Sequence, residues 1–385
     1  MKIIHTGDWH IGKIVHQVHM TEDQRYILNE FIKVIEEEKP HVIVITGDLY
    51  DRSVPPVEAV ELLDQVFSRI LIDLKVPIIA IAGNHDSPDR VGFASRILMN
   101  KGLYIEGRLK KNIQKVSLHD ETGPVNFYLV PYADPVIVRN LFEDENIHTH
   151  DDAMKVIVTS IKENMNKKER NVLVAHGFVI GGETSDSERP LSIGGTDYIC
   201  LEHFEEFNYT ALGHLHGPQK VGSDSIRYSG SLMKYSFSEV RQNKSITIVN
   251  IDDEGNVEVN IRKLTPIRDM RIIRGSLEEL LKPEVYKNTN VQDYLQVDLT
   301  DDGELIEPMS KIRTVYPNVL KLTRNSFNKN LEAVEQFSAE HRSKRDMFEL
   351  FQEFYTGITR KEFDEDKAKV IAQVLKEVQK GERGE

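Results

Sequence analysis

The sequence predicts an α/β layered core, two packed sheets flanked by helices, followed by a small α+β domain and a C-terminal helical pair. Three observations carry this. In the first third of the chain, short apolar runs alternate with stretches of helical periodicity, the pattern of a layered α/β domain. Polar clusters of Asp, His and Asn directly follow those apolar runs. The organisation then changes around Leu264-Thr265-Pro266, and from Ser343 onward the chain reads as helical and charged.

Lys2 to Thr6 is a short apolar run suited to a buried strand. Thr21 and Gln24 have the spacing of a capping box, with Ile27, Leu28, Phe31 and Ile35 at helical spacing behind them. His41 to Thr46 predicts a second buried strand. Val57 to Leu74 predicts a helix with Leu62, Leu63, Val66 and Ile70 on one side, and Pro77 to Ile81 a third strand. Ser87-Pro88 reads as an N-cap followed by proline at the first helical position. Beyond residue 110, strands are predicted at Val125 to Val130, Asn171 to Ala175 and Asn208 to Leu212. Further strand-like runs follow at Ile226 to Tyr228, Ser245 to Ile251 and Val257 to Ile261, with few helices, and together they predict a second sheet against the first. Gly181 to Gly195, rich in Gly and Ser, predicts a loop near the site.

The small domain alternates a strand at Met270 to Ile273, a helix at Leu277 to Leu281 and a strand at Tyr294 to Leu299. A helix at Met309 to Val315 and a strand at Val319 to Thr323 complete it. In the tail, Met347, Leu350, Phe351 and Phe354 form one apolar stripe. Thr359 and Glu362 have capping-box spacing for a last helix that carries Val370, Ile371, Val374, Leu375 and Val378. The division is then 1–265, 266–330, a polar linker at 331–342 and a helix-loop-helix at 343–385.

Composition bounds the function. No apolar run approaches the ~18 residues of a membrane-spanning helix, and the N-terminus enters a strand without a signal-peptide stretch. Cys200 is the only cysteine, which excludes an internal disulfide and points to a reducing cytoplasm. The net charge of −13 argues against a plain basic nucleic-acid-binding domain. Any attraction for DNA must be local, come from bound cations, or come from a partner.

Five segments carry chemistry: Gly7-Asp8-Trp9-His10, Gly47-Asp48-Leu49-Tyr50-Asp51, Gly83-Asn84-His85-Asp86, Ala175-His176-Gly177 and Gly213-His214-Leu215-His216. Each follows a predicted buried strand, and such strand ends converge in open α/β sheets. Carboxylate, imidazole and amide donors without thiolate suit manganese, iron or zinc. There are more candidate ligands than one ion requires, which fits two metals sharing a bridging carboxylate.

These segments, in this order, resemble the metallophosphoesterase superfamily over roughly residues 1 to 262. Within it, the chain is similar to the branch of DNA-repair nucleases that work with an SMC-like, SbcC-type ATPase. Supporting segments are Thr6 to Gly12, Pro218-Gln219 after His216, and Tyr228-Ser229-Gly230-Ser231. The resemblance implies two divalent ions, with manganese the usual one. Asp8, His10 and His216 would hold the first ion, Asn84, His176 and His214 the second, and Asp48 would bridge both. It implies that His85 contacts the scissile phosphate and assists the leaving oxygen. Asp51 stands where the archaeal and eukaryotic branch has histidine, a departure expected not to touch a metal ligand.

The resemblance also makes 266–330 a capping domain that places DNA over the metals, with Arg268, Arg271, Arg274, Lys311, Arg313, Lys321 and Arg324 as candidate phosphate contacts. It points the helical tail to the coiled coil of the SbcC-type ATPase, in a heterotetramer built on a homodimer. The implied activity is exonuclease on double-stranded DNA ends and endonuclease on single strands and hairpins, during repair, recombination and replication, in the cytoplasm near the nucleoid. The alternative is a dinuclear phosphodiesterase or phosphatase acting on a small or protein substrate, for which a capping domain and a helical tail have no use. A catalytically dead scaffold is the third reading, and the complete ligand set speaks against it.

Overall fold

Hydrophobic runs in the first third of the chain form strands covered on both faces, as their unbroken apolar character requires. The computed structural model describes residues 1–191, 198–324, 347–359 and 363–382. Lys2–Thr6, Val42–Ile45, Ile78–Ile81 and Leu103–Glu106 lie side by side in parallel. Ser245–Ile251 pairs antiparallel with Lys2–Thr6, and Val257–Lys263 closes that edge, giving six strands. The second six-stranded sheet has Arg170–His176 and Tyr209–Gly213 at its centre, parallel to each other. Gly123–Val130 and Ser223–Tyr228 flank them in parallel, and Gln114–Asp120 and Gln219–Val221 form the antiparallel edges.

The two sheets pack face to face. Ile3, Val42, Val44, Ile79 and Ile81 meet Val125, Phe127, Leu129, Val172, Val174 and Tyr209 in one buried cluster. On the other face of the second sheet, Leu173, Ala175 and Leu212 meet Met154, Ile157, Val158 and Ile161 of the helix His150–Asn164. The helix Thr21–Glu38 buries Ile27, Leu28, Phe31 and Ile35, as its periodicity predicts.

Several local expectations need correction. Ser245–Ile251 and Val257–Lys263 belong to the first sheet, because the register Lys2↔Asn250 is a long-range pairing that no local pattern encodes. The mixed region is richer in helix than expected. Pro135–Phe142 starts at an Asp134 cap, and His150–Asn164 opens with a Thr149–Asp152 capping box. Thr21 is the first helical residue and makes no cap; Gln24 is instead drawn inward to bond main-chain groups beside the site. The α-helix from Val57 ends at Ser68 and continues as a π-helical turn, Arg69–Asp73. Ser87 is an N-cap by position without a side-chain cap bond, and its helix is only Pro88–Val91.

The chain divides into two compact units between Met270 and Arg271. In the second unit, strands Met270–Gly275, Tyr294–Leu299 and Val319–Arg324 form a sheet in that order. Leu277, Leu280, Leu295, Val297, Ile312 and Tyr316 are in its core. The tail contains helices Met347–Thr359 and Glu365–Glu382. Thr359 is the last residue of the first of these, and the second is capped from further along the chain. Asp364 does that work, accepting from the Lys367 N–H at 3.0 Å. Glu362 and the predicted linker 331–342 lie outside the described residues.

Candidate metal centre

The parallel strands of both sheets deliver polar loops from their carboxyl ends to one place. Asp8 and His10 follow Lys2–Thr6, Asp48 follows Val42–Ile45, and Asn84 and His85 follow Ile78–Ile81. From the second sheet, His176 ends Arg170–His176, and His214 and His216 follow Tyr209–Gly213. The loops are laced together by main-chain bonds: Asp8 N–H to the Gly47 carbonyl at 3.1 Å and His10 N–H to the Asp48 carbonyl at 2.9 Å. Asp8, His10, Asp48 and His214 all have positive φ, a conformation that costs energy in non-glycine residues and collects at functional sites. Gly47 and Gly83 make the approach possible. A Cβ on Gly47 would stand 2.5 Å from His176 Nδ1, and one on Gly83 2.2 Å from Asp48 Oδ1.

All seven expected ligands converge. His10 Nε2 and His216 Nε2 are 2.9 Å apart. On the other side, Asn84 Oδ1 lies 2.9 Å from His176 Nε2 and 3.3 Å from His214 Nδ1. Asp48 Oδ2 lies 3.6 Å from both His10 Nε2 and His176 Nε2. His176 Nδ1 donates to the Thr46 carbonyl at 2.8 Å, which leaves Nε2 as a lone pair facing Asn84 and Asp48. His85 stands beside the ligands, its ring 4.5 Å from that of His10. Its Nδ1–H donates to the Asp51 carbonyl at 2.8 Å.

The electrostatics are those of a cage for cations. Burial, then the Asp48 charge, raises the Asp8 carboxyl well above its ordinary range. Burial, then the neighbouring imidazoles of His216 and His85, pushes His10 well below its ordinary value; burial and His176 do the same to His214. Asp8 Oδ2 and His10 Nδ1 are buried and have no hydrogen-bond partner. A divalent cation answers each of these: it pairs the crowded carboxylates, takes imidazole lone pairs and satisfies an orphaned oxygen. The donor set therefore fits the two metal ions that the sequence implies.

Supporting residues emerge that the motifs did not single out. Asp86 accepts from Leu49, Tyr50 and Gly83 N–H groups at 3.0–3.1 Å and braces two ligand loops. Burial, then Asp48, raises its carboxyl to about 7. Asp51 lies beside the candidate ligand His10 without a hydrogen bond to it. Its Oδ1 is 3.8 Å from His10 Nδ1 and 2.9 Å from Lys13 Nζ. The predicted Gly/Ser loop reaches the site through Ser187, whose Oγ is 2.6 Å from His216 Nδ1.

The candidate phosphate contacts separate into two groups. The Arg268 guanidinium forks onto buried Asp23, with both bonds at 2.9 Å, and Arg271 pairs with buried Asp293 at 2.6 Å. Arg313, itself exposed, and Arg324 donate to the carbonyls of Val319 and Gly303. Arg274, Lys311 and Lys321 are exposed. In the tail, Phe351 and Tyr355 pack on Phe363 with ring centroids 6.1 and 5.3 Å apart. Ile371 and Leu375 are partly buried, while Met347, Leu350, Phe354, Val370 and Val374 are exposed. The Val378 side chain lies outside the described residues.

A family model described as calcineurin-like phosphoesterase matches residues 1–218. Another, described as type 5 capsule protein repressor C-terminal domain, matches residues 266–358. The SbcD component of the nuclease SbcCD of Staphylococcus epidermidis is 36% identical over 359 residues, 93% of this chain and 94% of that one. Among solved structures, a protein of Thermus thermophilus aligns at 12% identity and a TM-score of 0.39, over 68% of this chain and 98% of its own. A dimetal phosphatase from Danio rerio aligns at 12% identity and a TM-score of 0.40, over 69% and 98%.

Proposed function

Because the chain belongs to the calcineurin-like phosphoesterases and, within them, to the SbcD family, we propose that it is the metal-dependent nuclease subunit of an SbcCD-type complex. It would hydrolyse phosphodiester bonds at double-stranded DNA ends and in single-stranded or hairpin DNA. The observation that carries this reading is the position of Asp48. One oxygen, Oδ2, lies 3.6 Å from His10 Nε2 on one side and 3.6 Å from His176 Nε2 on the other.

Asp8, His10 and His216 would hold one ion, Asn84, His176 and His214 the other, and Asp48 both; manganese suits this oxygen and imidazole set. Two such ions supply charge neutralisation at the phosphoryl oxygens and an acidified water. His85 would supply the proton that the departing sugar oxygen needs. Since Nδ1–H is held by the Asp51 carbonyl, Nε2 is the atom left to carry it. Burial lowers the His85 pKa, against the opposing effect of Asp48, so a proton taken up there is readily given away.

Exposed Arg274, Lys311 and Lys321 would meet phosphates without reading sequence. The exposed stripe of Leu350, Phe354, Val370 and Val374 would dock on the coiled coil of an SbcC-type ATPase. Two copies of each subunit would form the working complex in the cytoplasm.

The test is cleavage of end-labelled linear and hairpin DNA by the purified chain, alone and with its ATPase, in manganese, magnesium or chelator. Metal-dependent cutting is expected. Turnover of small phosphodiesters or phosphoproteins with DNA left intact would replace this reading with the phosphatase alternative.

A further inference from the structure

His216 is held at three points by side chains outside the ligand set. Its ring Nδ1 is 2.6 Å from Ser187 Oγ, its N–H donates to Glu188 Oε1 at 2.8 Å, and its carbonyl accepts from Lys244 Nζ at 2.7 Å. Ser187 Oγ also bonds Glu239 Oε1, and Glu239 Oε2 pairs with Lys244 Nζ at 2.6 Å. The path thus closes on itself. Glu239 and Lys244 are both buried, and a buried pair of this kind is a weak source of net stability. Its placement calls for another explanation.

Hydrogen-bond counting supplies one. Glu239, paired with an ammonium, is ionised and can only accept. The Ser187 hydroxyl has one proton; it also lies 2.9 Å from Ser185 Oγ, but its shortest contact is with the acceptor-only Glu239 Oε1, which takes the proton and itself stands 3.5 Å from His216 Nδ1. Ser187 Oγ then offers only lone pairs to His216, so the imidazole must carry its proton on Nδ1. Its Nε2 is left bare, facing His10 Nε2 at 2.9 Å. His176 achieves the same result with the main-chain carbonyl of Thr46. For His216 the device is built from the side chains of Ser187 and Glu239, while the neighbouring Glu188 takes the His216 main-chain N–H.

We propose that Ser187 and Glu239 are positioning residues that fix the tautomer and direction of the His216 ring, and that seating of the Ser187–Glu188 loop is thereby part of assembling the metal centre. This rests on the reading of His216 as a metal ligand. Outer partners of ligand imidazoles raise their basicity and restrict their rotation, and losing one costs roughly 10–100-fold in metal affinity.

The test combines two readouts on the full chain. Nitrogen-15 NMR of the His216 ring in the metal-free protein reports the tautomer directly. Calorimetric titration with manganese reports the two affinities. The variants are Ser187→Ala, Ser187→Thr, Glu239→Gln and His216→Ala. Wild type is expected to show the Nδ1–H form. Ser187→Ala should show a tautomer mixture and weaken one of the two ions by roughly 10–100-fold. Ser187→Thr, which keeps the hydroxyl, should restore both. Glu239→Gln, whose amide can donate to Ser187 and reverse the chain, should shift the ring toward Nε2–H. An unchanged tautomer and unchanged affinities in Ser187→Ala would overturn the proposal while leaving the metal assignment standing. Full manganese binding by His216→Ala would overturn the metal assignment itself.

Discussion

The backbone N–H of His85 donates to Asp48 Oδ1 at 2.9 Å, so the residue proposed to protonate the leaving oxygen is tied to the carboxylate proposed to bridge the ions. The bond uses the main chain of His85, and the imidazole remains available. Substitution of the ring should therefore spare the ligand geometry. His85→Leu is expected to bind two manganese ions as wild type does and to cut DNA about 10²–10⁴-fold more slowly. Calorimetry and single-turnover cleavage on the same preparation check this. A variant that cuts at the wild-type rate would remove His85 from the chemistry.

Gly83 tests the bridge from the opposite side. An added Cβ would sit 2.2 Å from Asp48 Oδ1 and 2.5 Å from the Asp48 nitrogen, and the nearby main chain cannot give way as a side-chain tip would. Gly83→Ala is expected to displace Asp48, weaken manganese binding by at least an order of magnitude and abolish cleavage. Because Gly83 is buried, the thermal midpoint of the metal-free chain should fall as well, by several degrees, corresponding to roughly 1–3 kcal/mol. Unaltered metal affinity would mean that the loop relaxes around the methyl group.

A third prediction concerns stability away from the site. Asp120 accepts from Arg170 at 2.6 and 2.9 Å and pairs with the Met1 amine at 2.8 Å, all three groups being buried. The bonds from Arg170 hold the Asp120 carboxyl well below the ordinary range. Asp120→Ala leaves two buried cations uncompensated and is expected to cost about 3–5 kcal/mol in urea denaturation. Adding Arg170→Met should recover part of that loss, because a buried pair costs most when only half of it is present. A single variant within 1 kcal/mol of wild type, as a rough threshold, would show that water or a rearranged partner replaces the carboxylate.

What the sequence made legible follows from how far each relationship reaches. The candidate ligands could be picked out because Asp8, Asp48 and Asn84 each lie just beyond an apolar strand, and strand ends are local features. Their supports could not be read in the same way. Ser187 acts on a residue 29 positions away and meets Glu239 across 52. Arg268 looked like a DNA contact because charge alone says nothing of a partner 245 positions back, where Asp23 takes its guanidinium. The same limit put Ser245–Ile251 in the wrong sheet, since its pairing with Lys2–Thr6 joins the two ends of the first unit. Gln24 had the spacing of a cap, but a buried amide that satisfies Gly12 N–H and the His10 carbonyl has stronger claims on it than a helix end.

His5 gives the pH prediction. It is buried, with Nδ1 accepting from the Tyr209 hydroxyl at 2.8 Å and Nε2 donating to the Leu212 carbonyl at 3.2 Å, so the neutral ring is satisfied at both nitrogens. Burial, only partly opposed by the Leu212 carbonyl, lowers its pKa from 6.5 to about 3. The unfolded chain therefore binds this proton first. The neutral ring's contribution is complete above about pH 6.5 and is lost progressively as pH falls toward 3, at up to about 1.4 kcal/mol per pH unit. His5→Gln, which keeps a polar group and cannot titrate, should be less stable than wild type at pH 7.5 yet lose stability less steeply below pH 6.5, with 7.5 an approximate working value. Because His5 is outside the ligand set, the difference in slope should be the same in chelator and in excess manganese. Parallel stability curves for the two proteins would place the acid sensitivity on other groups, and a difference that vanished with manganese would place it on the metal ligands.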